Sequence, residues 1–208
     1  PASQPASQPA SQPASQPASQ RLIKLLQYVF GVIFVKLGEI SEMQRGTSVT
    51  KKNITCGNIP VISGGKEPAY YCNQYNRTGE SITVAGSGVG AGYVQYWNIP
   101  IFVCDAFSIK GLDGVNTKYL YYCLSNMQDK IYATKKGGGV PHVHISSIDS
   151  FLIPLPTFKK QECIVEILDH FNTLCNDFST GLPAEIEARK KQYEYYRDKL
   201  LTFKEIDK

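Results

Sequence analysis

The stretch Ile153–Phe171, IPLPTFKKQECIVEILDHF, separates two kinds of sequence pattern. The run Pro154-Leu155-Pro156 is expected to end the preceding domain, because proline lacks the amide N–H that helices and sheets bond. After them, apolar residues recur at intervals of three and four, which indicates one face of an amphipathic helix. We therefore expect a domain boundary at this stretch, with a different fold class on each side of it.

The residues before the boundary have the pattern of a β-rich domain. Short runs of β-branched and aromatic residues alternate with turn residues, as in strands joined by hairpins. Asn116–Ala133 departs from this pattern, because its apolar residues fall at helical spacing. We therefore predict an α+β fold, mostly β, over residues 35–158. The predicted strands are Ile59–Ser63, Ser81–Ala85, Tyr93–Trp97, Ile99–Val103 and Ala106–Gly111.

Two helices are predicted over residues 159–208. The first should end near Ser179–Gly181, where glycine can adopt the left-handed conformation of a helix cap. Pro183 suits the first turn of the second helix. Apolar residues seven apart in that helix form a coiled-coil seam, whose partner is either the preceding helix or a second chain. The seam residues are Ile186, Tyr193, Tyr196, Leu200 and Phe203.

The first twenty residues are five copies of Pro-Ala-Ser-Gln. They have no charge and no large apolar side chain, so we predict a disordered segment over residues 1–20. The repeat is either a flexible linker or the translation of a CCAG tetranucleotide tract. Slippage in such a tract shifts the reading frame and switches expression on or off. Residues 21–34 follow as an apolar junction, too short to span a membrane and predicted to be a buried helix or strand.

Charge and cysteine content narrow the class of protein. The formal net charge is +4, and the basic excess lies in residues 35–158, which permits nucleic-acid binding without requiring it. The six cysteines form no CxxC pair and follow no secretory signal. This usage favours reduced thiols in a cytoplasmic protein without a membrane partner.

No motif in the sequence indicates catalysis. Val84–Tyr93 fits a loose GxGxx(G/A) spacing, but a strand pattern follows it where a dinucleotide-binding fold needs a helix. We predict a tight hairpin tip there, in which glycine allows close approach of a ligand. His142 and His144 alternate and so share one face, but no carboxylate or cysteine lies at ligand spacing. We predict no metal site and no cofactor bound by this chain.

Three basic, glycine-rich loops are the candidate binding elements: Arg45–Ser48, Ser63–Lys66 and Lys135–His142. Each joins hydrogen-bond donors to a flexible backbone, as a loop that grips phosphates or base edges does. The alternative is a β-rich protein-interaction module with a coiled-coil tail that does not bind DNA. The predicted DNA contacts are Arg45, Thr47, Lys66, Arg77, Ser87, Tyr93, Lys135, Lys136 and His142.

The segment Gly181–Phe203, GLPAEIEARKKQYEYYRDKLLTF, resembles the conserved helix of specificity (S) subunits of type I restriction–modification systems. Ile153–Phe171 is similar to the segment by which these proteins leave a target-recognition domain. Val35–Lys52 is similar to the start of such a domain. The stretches SGGKEPAYY (63–71) and TVAGSGVGAGYVQYW (83–97) are typical of its interior.

The resemblance implies that residues 35–158 read one half of a bipartite site in double-stranded DNA. It implies that residues 159–208 act as a spacer that docks methyltransferase subunits, with the restriction subunit joining indirectly. Those partner subunits carry the chemistry and use S-adenosylmethionine, ATP and Mg²⁺. S subunits usually carry two recognition domains, and one is present here. The chain is therefore expected to be a fragment, or a half-subunit that self-associates through Pro183–Phe203.

Overall fold

The computed structural model describes residues 18–49, 55–137 and 139–201. Helices and strands both contribute, in agreement with the predicted α+β class. The chain divides into two compact units, Pro1–Glu162 and Cys163–Lys208. The elements are α1 (Ala18–Phe30), β1 (Ile33–Lys36), α2 (Leu37–Ile40), β2 (Ser41–Arg45), β3 (Ile59–Ile62), β4 (Tyr70–Cys72), β5 (Ser81–Ala85), β6 (Val94–Trp97), β7 (Phe102–Val103), β8 (Ala106–Gly111), α3 (Thr117–Asn126), α4 (Gln128–Ala133), α5 (Ile145–Ile148), β9 (Leu152–Leu155) and α6 (Phe158–Leu201).

An antiparallel four-stranded sheet, in the order β2-β8-β5-β6, organises the first unit. β5 pairs with a strand on each side, and all five of its residues are buried, which suits its β-branched sequence. Ile82 and Ile109 on the sheet share one hydrophobic cluster with Leu120 and Leu124 of α3. Burial of this cluster fixes α3 against the sheet.

Two smaller sheets complete the first unit. β1 and β9 pair antiparallel, with Val35 opposite Ile153, so the two ends of the predicted recognition region lie side by side. β3 lies between β4, to which it is antiparallel, and β7, to which it is parallel. Val61 and Phe102 pair in that parallel register and belong to a separate, smaller hydrophobic cluster.

Four of the five predicted strands are confirmed within a residue at each end. The fifth prediction, Ile99–Val103, is too long, because the strand β7 holds only Phe102 and Val103. Pro100 has no N–H to donate to a ladder. Ile101 instead exchanges backbone hydrogen bonds with Arg77 in an isolated bridge, at 3.1 Å in each direction.

The predicted helix over Asn116–Ala133 begins as expected but is divided in two. The Asn116 side chain caps α3 by accepting from the Tyr119 N–H at 2.9 Å. α3 ends before Met127, and α4 starts directly after it. The Gln128 amide bonds the backbone beside β6: it accepts from the Val94 N–H at 3.1 Å and donates to the Gly92 carbonyl at 2.7 Å.

The prediction of two helices beyond residue 158 is wrong. α6 is continuous from Phe158 to Leu201 and passes through Gly181 and Pro183. Glycine and proline cost about 1 and 3 kcal/mol in a helix interior, which the hydrogen bonds of a helix this long can offset. An αα-hairpin with a break near Gly181 is therefore excluded. The seam itself stays a prediction, since the side chains of Ile186, Tyr193, Tyr196 and Leu200 and all of Phe203 lie outside the described residues.

Two further corrections concern the N-terminal region. Residues 1–17 of the repeat lie outside the described residues, but Ala18–Gln20 of its last copy are helical rather than disordered. The junction is only partly buried: Gln27 is buried and donates to the Pro156 carbonyl at 3.0 Å, whereas Leu22, Leu25 and Val29 are exposed. β1 begins at Ile33, inside the predicted junction.

Among the described helices, none combines the length and apolar character that a membrane crossing needs.

Candidate DNA interface

Arg45 lies at the end of β2, and the backbone that follows it is held tightly. Arg45 pairs with Phe107 on β8. The Gly46 N–H donates to the Ala106 carbonyl at 2.8 Å, and the Thr47 N–H donates to the Val103 carbonyl at 2.9 Å. A Cβ atom at position 46 would overlap the Cys104 carbonyl, so this close approach requires glycine. Arg45 and Thr47 are therefore exposed side chains on a fixed backbone.

Arg77 lies behind Arg45 and bonds within the protein. Its guanidinium donates to Ser108 Oγ and to the Asn76 carbonyl, both at 2.7 Å, and to the Arg45 carbonyl at 2.9 Å. Burial lowers the pKa of Arg77, and the Glu42 carboxylate opposes this shift. Three donors of this guanidinium support β2 and its neighbours, so the geometry gives Arg77 a structural role. Its predicted contact with DNA remains a prediction.

The segment that carries the two histidines lies between two other loops. The His142 N–H donates to the Lys136 carbonyl at 2.8 Å, and the Lys136 N–H returns a bond at 2.9 Å. On the other side, the Gly88 N–H donates to the Pro141 carbonyl at 3.0 Å, and the Val143 N–H donates to the Gly86 carbonyl at 2.9 Å. The segment thus joins the hairpin tip after β5 to the basic loop after α4.

The alternation of the histidines is confirmed. Val143 is buried, while His142 and His144 are exposed, and their rings stack at 6.2 Å with an interplanar angle of 4°. Arg45 Nη2 lies 3.4 Å from His144 Nδ1, which connects the histidines to the end of β2. These groups border a cleft of about 190 Å³ that also reaches Asp105.

The glycine-rich stretch Val84–Tyr93 forms the predicted hairpin tip. It joins the paired strands β5 and β6, and no helix follows it. Gly88 and Gly92 have φ values of 80° and 83°, which side chains with a Cβ rarely adopt. Ser87, at this tip, donates through its hydroxyl to the Asp105 carboxylate. A dinucleotide-binding arrangement is therefore absent here.

The loop Ser63–Lys66 packs against this tip. A Cβ atom at Gly64 would overlap the Ser87 carbonyl oxygen, and one at Gly90 would overlap the Gly64 carbonyl oxygen. The two backbones are thus in direct contact. The absence of side chains at these two positions is what allows the second basic loop to lie beside the tip.

Two lysine–tyrosine pairs extend the surface. Lys66 Nζ lies 5.1 Å from the centre of the Tyr93 ring, and Lys135 Nζ lies 4.1 Å from the centre of the Tyr132 ring. Burial raises the pKa of Tyr132, with smaller contributions from Tyr93 and Asp129, so the two pairs are neighbours. Contact with an aromatic face steadies each ammonium group while leaving it able to meet a phosphate.

The structure thus brings most of the predicted contacts onto one surface, which we call the three-loop surface. Arg45, Ser87, Lys136 and His142 are connected by direct contacts or through His144 and the backbone of the histidine segment. Thr47 follows Arg45, and Arg77 lies behind it. The three-loop surface comprises Arg45, Thr47, Lys66, Ser87, Tyr93, Tyr132, Lys135, Lys136, His142 and His144.

Sequence reasoning missed three residues at this site. Tyr132 carried no signal, because it lies in α4 outside the predicted loops. His144 carried a signal in the HVH alternation, which places it on the same exposed side as His142. Asp105 carried no signal, because its contact with Ser87 spans two separate turns. Among the described residues, no group of three or more histidine, cysteine or acidic side chains could hold a metal ion.

Replacing Gly64 with alanine should destabilise the first unit by about 2 kcal/mol, because the new methyl group would overlap the Ser87 carbonyl. Urea denaturation measures this loss. Gly65→Ala is the matched control, since a Cβ there would meet the Glu67 carbonyl at 3.4 Å, an ordinary contact. Equal stability of the two variants would show that the loop does not rest on the tip.

One known family matches this chain over most of its length. The pattern of the type I restriction modification DNA specificity domain matches residues 31–188. The chain belongs to this family. The chain is 31% identical over 176 residues to a putative type I specificity subunit of Mycoplasma pneumoniae. The match covers 81% of this chain and 57% of that protein. It is 47% identical over 93 residues to the EcoR124I/EcoR124II specificity subunit of Escherichia coli, covering 44% of this chain and 23% of that protein.

Solved structures share the fold of this specificity domain. The S subunit of a type I restriction–modification system from M. genitalium matches with a TM-score of 0.62 at 21% identity, over 80% of this chain and 45% of that one. A chain from a type I assembly matches with a TM-score of 0.60 at 19% identity, over 85% and 50%. The specificity domain spans about half the length, or less, of these relatives.

Proposed function

We propose that this chain recognises one half of a bipartite site in double-stranded DNA, as the recognition part of a type I specificity subunit. The observation that carries the proposal is the three-loop surface, where basic, histidine and tyrosine side chains from separate loops lie together. Membership of the chain in the type I DNA specificity family supports a role in recognising DNA sequence. The chain itself carries out no bond chemistry in this proposal.

The side chains divide naturally into two kinds of contact. Lys66, Lys135 and Lys136 are suited to phosphates, which fix the register of a protein on the duplex without reading its sequence. Arg45, Ser87 and His142 present donors and acceptors that are suited to base edges in the major groove. The glycine backbones between them permit close approach to the duplex.

Replacing Lys135 and Lys136 together with alanine should weaken binding to a fluorescent random-sequence duplex by about tenfold, because each neutralised phosphate releases condensed counterions. The slope of log K against log salt should become less steep by about 0.9 for each phosphate that the variant no longer neutralises. Fluorescence anisotropy over a salt series measures both quantities. Base preference should stay as in the parent chain.

The adjacent pair Lys159 and Lys160 offers a matched control. Both side chains are exposed, and their double replacement by alanine removes the same charge outside the three-loop surface. If the two double variants behave alike, the basic loop has been misassigned. A parent chain that binds no duplex in a salt-dependent way would instead support a protein-interaction module.

We propose further that α6 mediates assembly. Ile167, Phe171 and Tyr195 are exposed on it, and large apolar side chains in water favour a partner surface. The partners proposed are a methyltransferase subunit and a second copy of this chain, with the restriction subunit joining through the methyltransferase. In that complex the partner subunits use S-adenosylmethionine, ATP and Mg²⁺, and the whole acts in the cytoplasm.

The Pro-Ala-Ser-Gln repeat suggests control of gene expression. We propose that its codons form a CCAG tract whose slippage decides whether the recognition domain is made. Sequencing the gene tests this directly, since other codons spell the same peptide. Methylated sites that appear and disappear with the tract length would support the switch, and a mixed codon usage would refute it.

A further inference from the structure

Arg45 is the arginine of the three-loop surface, and both its backbone and its side chain are supported. Its backbone is fixed by pairing with Phe107, by the bond from Gly46 to Ala106, and by the Arg77 guanidinium on its carbonyl oxygen. Its side chain has a separate support, the ring of His144. A side chain held at both ends loses less conformational freedom when it binds a ligand.

Donor and acceptor chemistry sets the direction of the contact with His144. A guanidinium has only donors, so Arg45 Nη2 donates and His144 Nδ1 accepts. The accepting tautomer carries its proton on Nε2. The ring of His142 stacks on that of His144 and supports its plane.

The remaining N–H donors of Arg45 are the ones that a ligand could bond. Within residues 18–49, 55–137 and 139–201, its guanidinium has no second hydrogen-bond partner, and the side chain is exposed at the mouth of the cleft. Arg77 shows the opposite arrangement, since three of its donors bond protein atoms. Of five N–H donors in each guanidinium, Arg45 therefore has four left for an incoming base and the less exposed Arg77 has two.

We propose that Arg45 reads a guanine of the half-site in the major groove, and that His144 is the positioning residue that sets the orientation of its guanidinium. This inference rests on the proposed DNA-binding function. Guanine presents two acceptors, N7 and O6, that match the paired donors of an arginine. The bond from Nη2 to His144 orients the guanidinium about its long axis and leaves the other N–H edge for the base.

The test is a selection of bound duplexes from a random-sequence pool, with the full chain and its variants. The parent chain should enrich a guanine at one position. Arg45→Lys keeps the charge but loses the paired donors, so the preference at that position, and with it the affinity for the enriched duplex, should fall about tenfold. Affinity for a random-sequence duplex should stay within about twofold, because the charge is kept. Preferences at the other positions should not change.

Variants of His144 separate positioning from packing. His144→Phe keeps an aromatic ring for the stack on His142 but removes the acceptor, so it should lose the same guanine preference. His144→Asn restores an acceptor near the place of Nδ1 and should recover it. His170→Phe is the control, because it makes the same substitution at an exposed position of α6 outside the three-loop surface.

Each outcome bears on a different claim. No enrichment by the parent chain would overturn the proposed DNA-binding function, and this inference with it. Enrichment that Arg45→Lys leaves unchanged would overturn the guanine assignment and the positioning role of His144, and would leave the DNA-binding function standing. If His144→Phe and His144→Asn show the same guanine preference, whether both keep it or both lose it, the positioning role is overturned. Urea midpoints of all four variants near that of the parent would confirm that they are folded.

Discussion

A chain carrying Gln161→Leu should unfold at a free energy about 3 kcal/mol below that of the parent chain. Gln161 lies in the first turn of α6 and is fully buried. Its Oε1 accepts from the Asn116 N–H at 2.8 Å, and its Nε2 donates to the Pro156 carbonyl at 2.9 Å and to the Gly114 carbonyl at 3.4 Å. Leucine fills a similar volume but makes none of these bonds.

The loss should be large because the stranded groups are buried or partly buried. The Asn116 N–H belongs to the residue that caps α3, and it would lose its partner in a partly buried position. The Pro156 carbonyl would keep one bond, from Gln27 at 3.0 Å. Urea denaturation followed by circular dichroism measures the change in the free energy of unfolding.

Glu162→Leu is the control for this experiment. It lies beside Gln161 on the same turn, but its side chain is exposed, so leucine there should change stability by less than about 0.5 kcal/mol. If Gln161→Leu proved as stable as Glu162→Leu, the buried amide network would contribute nothing to folding. The attachment of α6 to the loop at Gly114–Asn116 would then need another cause.

Replacing Ile186, Tyr193 and Leu200 with lysine should abolish self-association of the chain. The three residues are seven apart, and α6 runs unbroken through all of them, so they share one face of the helix. Three ammonium groups cannot be desolvated against a second copy of the same face. Sedimentation at tens of micromolar should show the parent as a dimer and the variant as a monomer with an unchanged first unit.

A control of equal charge keeps this test specific. Glu187→Lys with Thr173→Lys also adds three positive charges, and both side chains are exposed on α6. This variant should still dimerise. A parent chain that sediments as a monomer, although folded, would refute the proposed seam. Dimerisation of both variants would place the interface elsewhere.

Local sequence was a good guide to the elements of the first unit. The strand β5 was found with its bounds because every residue of SITVA suits a buried strand. The start of α3 was found because Asn116 is a cap by its own chemistry. Sequence failed at Gly181 and Pro183, where two local penalties suggested an end to α6. It failed because a local preference of a few kcal/mol does not decide an element that other forces extend.

The sequence by itself determined the α+β class, most strands and the residue types that the proposed function uses. Tertiary structure alone decided which of those residues meet. Arg45 and His144 are 99 residues apart. Their contact depends on the pairing of β2 with β8 and on the backbone hydrogen bonds that hold the histidine segment against the hairpin tip. Such contacts arise from the register of strands and the burial of their shared core, which no local pattern encodes.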